Sequence, residues 1–316
     1  MFEKDQFDVI VKIVGLIILL FIILFILTWS GLVGCKTISP YWCDAYDVIN
    51  GGGPRVLIVY GDVGLGDPDK LKMYLQDPRY VGANTVDAQS IDRISLGNLK
   101  KYKLVIVEKA RVLTAENLQM FEDYVIKSGG RLVWVGDSGV ERPEGETAQL
   151  ADTNTGKLLI SNPWVRIIET DEEYKIVGFD EFLGLRYVNN YCSEIDCKTD
   201  FFNAGTIESE VTGDHPLIFG TAPVLNLKIK KERDFAIVKQ ISNSAVSNIV
   251  LNLNFGGNLT GKTNKLGKNV PFIATSNIGA GGAERVAYYA YPPEWFLEDN
   301  NYFYYIKNMY FGMLGR

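Results

Sequence analysis

Arg131–Gly139 reads R-L-V-W-V-G-D-S-G, and the fold is decided there. Leu132–Val135 is an unbroken apolar run, the mark of a strand buried on both faces in a parallel sheet. Gly136-Asp137-Ser138-Gly139 then turns the chain sharply. Two earlier runs have the same character, Arg55–Tyr60 (RVLIVY) and Lys103–Val107 (KLVIV). Between the second and third runs a helix is expected. Thr114 caps its start, Leu118, Phe121 and Val125 share one face, and Ser128-Gly129-Gly130 stops it. Strand, helix, strand with short loops is a βαβ unit, right-handed on steric grounds. The sequence therefore predicts an α/β domain over 55–316, with an open, mostly parallel sheet flanked by helices.

Ahead of that domain lies a different kind of segment. Ile13–Trp29 holds 17 uncharged residues, and Ser30-Gly31-Leu32-Val33 extends the run to 21. About 20 apolar residues at 1.5 Å per residue cross a hydrocarbon core of about 30 Å, so a transmembrane helix is expected over 13–33. Trp29 stands where an interfacial aromatic anchors such a helix. The run is longer than a secretory h-region and no small-x-small cleavage site follows, which favours an uncleaved anchor. Leu32-Val33-Gly34-Cys35 also resembles a bacterial lipobox, in which Cys35 would be lipidated after cleavage. Lys4 and Lys12 precede the span, and Lys36 is the one basic residue in the next twenty, so residues 1–12 are read as a cytoplasmic tail. Residues 34–54 read as a juxtamembrane linker ending in Asn50-Gly51-Gly52-Gly53-Pro54.

An extracytoplasmic domain agrees with the cysteines. The four of them fall in two close pairs, Cys35 with Cys43 and Cys192 with Cys197, and an oxidising compartment would bond each pair. Neither spacing is C-x₂-C, and with one histidine in the chain no multi-histidine metal site can form. No metal and no cofactor are expected. Asn258-Leu259-Thr260 is a glycosylation sequon, usable outside the cell. The net charge of −6 among 316 residues argues against nucleic acid as a partner. The bilayer and other membrane or surface proteins are the expected partners.

From Arg55 to Gly139, together with Ala283–Gly312, the chain resembles a class I glutamine amidotransferase-like domain, whose sheet is of the flavodoxin-like kind. That family sets a nucleophile at a sharp turn after a central strand, as G-x-C-x-G. With the closing glycine on Gly139, the nucleophile position holds Asp137. A late strand in the family ends in F-H-P-E, and the matching segment here is Tyr291-Pro292-Pro293-Glu294. Pro292 stands in place of the base, and Glu294 alone is kept. An amidotransferase needs a thiolate and an imidazole that lowers its pKa. The resemblance thus implies a degenerate, catalytically silent site at Asp137, Ser138 and Glu294. Neither Asp137 nor Glu294 would then be needed for folding.

Two other chemistries stay open on the residues. Ser138 could be a nucleophile at the strand-to-helix elbow, with His215 as the sole available base. His215 lies in Gly213-Asp214-His215-Pro216-Leu217, a sequence that also suits a plain turn. The loop Gly61-Asp62-Val63-Gly64-Leu65-Gly66-Asp67 sits where a dinucleotide fingerprint would, but its acidic residues would repel a pyrophosphate. A permissive turn is the simpler reading. Asp62 and Asp67 could still meet Asp137 in the crevice at the strands' carboxyl ends, where a small, sugar-like ligand would bind.

Residues 144–231 depart from the alternating pattern and read as an insertion that elaborates one edge of the sheet. Phe235–Val238 and Asn248–Leu253 alternate like antiparallel strands. The run from Tyr302 to Phe311 is aromatic on several faces and suits a final helix packed on the sheet. It could also serve, with Trp164, as an exposed partner-binding surface. Together these readings predict a membrane-anchored, extracytoplasmic, catalytically inactive interaction or scaffold subunit.

Overall fold

The computed structural model describes residues 4–29, 33, 38, 42, 45–46, 49, 53–146, 162–169, 174–194, 197, 201–211, 215–241, 247–255, 269–276, 278 and 284–315. The chain divides into an N-terminal unit ending at Gly53 and a larger unit, Pro54–Leu314. Cys35, Cys43 and Asn258 lie outside the described residues.

The N-terminal unit is built on helix α1 (Lys4–Trp29). Its stretch Val9–Thr28 is long and apolar enough to cross a membrane, and none of it is buried inside the protein. The helix begins before the apolar run, so Lys4, Asp5, Asp8 and Lys12 belong to it.

The larger unit opens with β1 (Val56–Tyr60), α2 (Pro68–Gln76) and β2 (Val86–Ser90). A short α3 (Leu96–Leu99) leads to β3 (Leu104–Val107), and α4 (Ala115–Ser128) leads to β4 (Arg131–Val135). Next come the hairpin β5 (Val165–Glu169) and β6 (Tyr174–Gly178), then α5 (Phe179–Leu183), β7 (Leu185–Asn190) and α6 (Tyr191–Glu194). The chain continues through β8 (Phe201–Ser209), β9 (Val224–Lys230), β10 (Ala236–Gln240), β11 (Ser247–Asn254) and β12 (Asn269–Ser276). It ends with β13 (Val286–Tyr289), α7 (Pro293–Asn300) and α8 (Tyr304–Leu314).

Nine strands form one sheet in the order β2-β1-β3-β4-β13-β12-β11-β8-β9. The first five are parallel and the rest are antiparallel to their neighbours. Among the described residues the sheet is therefore mixed, and the expectation of a mostly parallel one is corrected. The reason lies in the sequence between β7 and β13. Among the described residues it supplies strands but, apart from the single-turn α6, no crossover helices, and without crossovers neighbouring strands run antiparallel. β8 and β9, read from sequence as part of an insertion, extend the main sheet. β7 instead pairs with β10, and β5 with β6, in two small antiparallel sheets.

The parallel half follows the expected physics. Residues 56–59, 104–107 and 132–135 are all buried, as continuous apolar runs require. Thr114 and Asn117 form a reciprocal capping box at the start of α4, and Gly129, left-handed at φ 67°, ends the helix. Leu118, Phe121 and Val125 face the core. Strand order reverses between β1 and β3, which makes their carboxyl ends the usual ligand crevice of a doubly wound sheet. Much of the C-terminal aromatic run is core: Tyr305, Ile306, Met309, Tyr310 and Phe311 are buried, as is Trp164, while Tyr302, Phe303 and Tyr304 are half-buried.

Cys192 and Cys197 are disulfide-bonded. The bridge closes a loop with a sequence separation of 5, so loop entropy limits its contribution to about 2 kcal/mol. The double substitution Cys192→Ser/Cys197→Ser should therefore lower the stability of the detergent-solubilised chain by about 2 kcal/mol in urea unfolding. Loss of the folded state would show instead that the bridge holds more than its own loop.

Candidate functional site

The elbow after β4 is held by its own neighbours. Asp137 is fully buried, and its carboxylate is spent on three hydrogen bonds. Oδ1 accepts from the Leu65 amide at 2.8 Å, and Oδ2 accepts from Arg111 Nη1 at 3.2 Å and Asn190 Nδ2 at 3.0 Å. One side chain thus joins the β4 elbow to the β1 loop, the β3 loop and the end of β7. A buried carboxylate so satisfied is a structural tie. The expectation that Asp137 is dispensable for folding does not fit this geometry.

Ser138 is equally committed. Its hydroxyl donates to the Val135 carbonyl at 2.8 Å, and its own carbonyl accepts the indole N–H groups of both Trp134 and Trp164, at 3.0 and 2.8 Å. Buried Arg166 donates to the carbonyls of Gly139 and Glu141, at 2.6 and 2.9 Å, and desolvation lowers its pKa to about 10. The segment around β5 therefore clamps the elbow from outside. His215 is bonded elsewhere. Its Nε2 lies 2.8 Å from Glu284 Oε2, and its Nδ1 accepts from the Leu217 amide at 3.2 Å. Both ring nitrogens are thus engaged away from Ser138, and the serine–histidine pair is not assembled.

The glycine-rich loop is a device for close approach. Gly64 and Gly66 have φ of 126° and 125°, and a Cβ at Gly64 would sit 3.0 Å from the Lys109 backbone. This closeness lets the β1 and β3 loops pair. Lys109 N–H donates to Leu65 O at 2.7 Å, Gly61 N–H to Lys109 O at 3.1 Å, and Arg111 N–H to Val63 O at 2.9 Å. Lys109 takes φ 51° to do so, an uncommon conformation for a side-chain-bearing residue. Asp62 is exposed. Asp67 caps α2, accepting from the Lys70 amide at 3.2 Å. The three aspartates do not converge on one point. Among the described residues, no group of three histidine, cysteine or acidic side chains could hold a metal ion.

Sequence reasoning missed the most unusual residue here. Glu108, directly after β3, is fully buried, and neither of its carboxyl oxygens has a hydrogen-bond partner. A Cβ at Gly66 would lie 3.1 Å from its carboxyl carbon. Glu294, in the first turn of α7, is also fully buried, with Oε1 accepting from the Asp67 amide at 2.8 Å and Oε2 unpartnered. Burial drives both pKa values up, Glu294 to about 8 and Glu108 well above its usual range, with Glu294 and Asp67 adding repulsion at Glu108. Burial thus favours the protonated form of both. A single buried glutamate after an apolar strand could have been found in the sequence, because ending V-I-V in a carboxylate needs a reason. A cavity of about 430 Å³ lies elsewhere in this unit, lined by Leu225, Asn226, Lys228, Phe296 and Tyr302, of which only Tyr302 belongs to a sequence-predicted surface.

No protein-family model and no curated protein matches the sequence. Solved structures do align with it. A ThuA-like protein from Bacteroides uniformis ATCC 8492 aligns over 82% of this chain and 91% of its own, at 13% identity and TM-score 0.48. A cold-adapted beta-galactosidase from Rahnella sp. R3 aligns at 11% identity and TM-score 0.45, over 82% of this chain but 30% of that one. The N-terminal domain of mmIFT52 aligns at 14% identity and TM-score 0.43, over 80% and 92%. These likenesses concern the path of the chain and bring no activity with them.

Two measurements test the site. Asp137→Asn puts an amide donor among the donors that now meet a carboxylate, and should cost about 1–3 kcal/mol in urea unfolding. An unchanged midpoint would show that the tie is idle. For Glu294 the folded pKa, about 8, stands above the unfolded value of 4.5, so its contribution to stability is full below 4.5 and is lost as pH rises to 8. Glu108→Gln and Glu294→Gln should each flatten the fall in unfolding midpoint between pH 5 and 8. A wild-type chain equally stable at both pH values would contradict the protonated pair.

Proposed function

We propose that the chain is a membrane-anchored, non-catalytic interaction subunit, built on a degenerate class I glutamine amidotransferase-like domain outside the cytoplasm. The observation that carries the reading is the state of the elbow. A catalytic elbow presents a free nucleophile to a crevice, whereas here Asp137 and Ser138 are buried and bonded on every side. Pro292 supplies no base, and the sole histidine is engaged by Glu284 and Leu217. Anchoring rests on α1, whose stretch Val9–Thr28 is long and apolar enough to cross a membrane. Placement of the domain outside rests on the Cys192–Cys197 bridge and on the charges around α1.

With Trp164, Tyr305, Tyr310 and Phe311 buried, the surface left to anchor a partner is smaller. Tyr174 and Ile176, two apart on β6, are 64% and 57% exposed and project an apolar pair from the β5–β6 hairpin. Tyrosine is among the side chains that most often anchor an interface.

The test compares variants of the full chain in solubilised native membranes. Tyr174→Ser/Ile176→Ser should remove co-purifying subunits while leaving the unfolding midpoint unchanged, whereas Ser138→Ala should leave the association intact. An acylating serine-hydrolase probe should not label the folded protein. Labelling that disappears in Ser138→Ala would overturn the non-catalytic reading in favour of a hydrolase.

A further inference from the structure

The parallel half of the sheet carries a polarity of charge. β1, β3, β4 and β13 run in one direction, so all four enter the sheet at the same edge. A cation stands at each entrance: Arg55, Lys103, Arg131 and Arg285. Backbone bonds set the four on neighbouring rungs. Lys103 N–H donates to the Arg55 carbonyl at 2.9 Å, Arg131 N–H to the Lys103 carbonyl at 3.2 Å, and Leu132 N–H to the Arg285 carbonyl at 2.8 Å. With strands about 4.8 Å apart, the four backbones cross this edge within about 15 Å.

The connections add to the row. A helix that returns over a parallel sheet ends where the next strand begins. Arg79 after α2, Lys100 and Lys101 after α3, and Lys127 in the last turn of α4 therefore lie at the same edge. The acids found there are engaged. Asp87 pairs with Arg55, Asp77 with Arg79, and Asp123 with Lys127. Glu284 accepts from Asn248 and Thr275 and meets His215. Lys100, Lys101 and Lys103 are exposed, and among the described residues no carboxylate pairs with them.

Composition does not account for this gathering, because the chain as a whole has a net charge of −6. The opposite edge, at the strands' carboxyl ends, carries exposed Asp62, Asp69, Asp92 and Glu141 against exposed Arg93. Glu208 and Glu210, at the end of β8, stand on the antiparallel half, separated from β4 by β13, β12 and β11. The excess of positive charge is thus confined to the entrance of the parallel strands.

Connectivity says what meets this edge. Arg55 directly follows Pro54, where the chain coming from α1 enters the larger unit. With α1 in a bilayer, the tether presents the basic edge to lipid at high effective concentration. Clustered lysines beside a membrane helix are attracted by anionic headgroups, with a strength that adds per cation and falls off within a Debye length.

We propose that the entrance edge of the parallel strands, centred on Lys100, Lys101 and Lys103, docks on the anionic phospholipid headgroups of the bilayer that holds α1. The proposal rests on the anchored reading of α1. It gives the larger unit an orientation, with the acidic carboxyl edge and the Asp137 elbow turned away from the lipid. The docking is electrostatic and reversible, so salt releases it while α1 stays in place.

Lysine acetylation of the full chain tests it, because an ammonium group seated among phosphates is shielded from the reagent. The chain is placed in lipid discs of phosphatidylcholine, alone or mixed with phosphatidylglycerol, treated with acetic anhydride, and read by peptide mass. Lys100, Lys101, Lys103 and Lys127 should react about fivefold more slowly in the anionic discs. Lys231, exposed after β9 at the carboxyl edge, should react equally fast in both. Sodium chloride at about 0.5 M should remove the difference. Lys100→Gln/Lys101→Gln/Lys103→Gln should restore fast acetylation of Lys127 in the anionic discs without moving the unfolding midpoint. Equal rates in the two kinds of disc, or equal slowing at Lys231, would overturn the docking and leave the anchor standing. A chain that fails to enter neutral discs shows that α1 is no anchor, and the docking falls with it.

Discussion

The Asp137 carboxylate is the point on which the arrangement of the sheet's carboxyl edge depends. Three separate pieces of chain, the loops after β1 and β3 and the end of β7, donate to its two oxygens. Each donor would otherwise be a polar group at a closed edge, where an unmet hydrogen bond costs about 1–3 kcal/mol. Three of the carboxylate's roughly four acceptor positions are taken by Leu65, Arg111 and Asn190. The group that the elbow would offer to a ligand is the one that holds the edge closed.

The second constraint acts against the first. Glu108 and Glu294 are buried beneath the same β1 loop, and three of their four carboxyl oxygens have no partner. Such groups fold only as neutral acids, and their raised pKa values express that cost. The loop from Gly61 to Asp67 is therefore pulled in by Asp137 and Glu294 and weakened by deprotonation beneath it. Its glycines allow the approach to the β3 loop, and Lys109 holds positive φ on the other side. The edge is a compromise among tight backbone pairing, a satisfied acid and two unsatisfied ones.

How much of this was legible in the sequence follows from the range of the forces involved. The strands at 56–60, 104–107 and 131–135 and the helix at 115–128 are written in local patterns, and all four stand where the residues place them. The elbow at Asp137 was legible because a strand ending in Gly-Asp-Ser-Gly can do little else. Of the antiparallel half, the alternation at Phe235–Val238 and Asn248–Leu253 marks β10 and β11, but the other strands and all the pairings were not legible. Direction depends on whether a crossover helix intervenes, and around the segments between β7 and β13 the local pattern does not report pairing partners 20 to 50 residues away. Asn190 and Arg111 were missed because their roles exist only once distant loops meet at Asp137. The aromatic run 302–311 shows the limit differently. Its composition suits a core and an interface equally, and only the packed helix, with Tyr305, Met309 and Tyr310 buried, separates the two.

The far edge of the sheet completes the argument about where a partner can act. An edge strand offers a free ladder of backbone groups and is a natural docking site. On β9 that ladder is partly taken by the protein itself. Asn300 Oδ1 accepts from the Lys228 amide at 2.9 Å, and its Nδ2 donates to the Lys228 carbonyl at 3.1 Å, as a neighbouring strand would. Asp299 accepts from the Lys230 amide at 3.2 Å while paired with Arg233, and Tyr302 accepts from the Ala222 amide at 2.7 Å. The end of α7 and the following turn thus cap this edge with side chains. Together with the closed elbow and the buried aromatic helix, the capped edge removes three of the usual ways in which such a sheet meets a ligand or a strand.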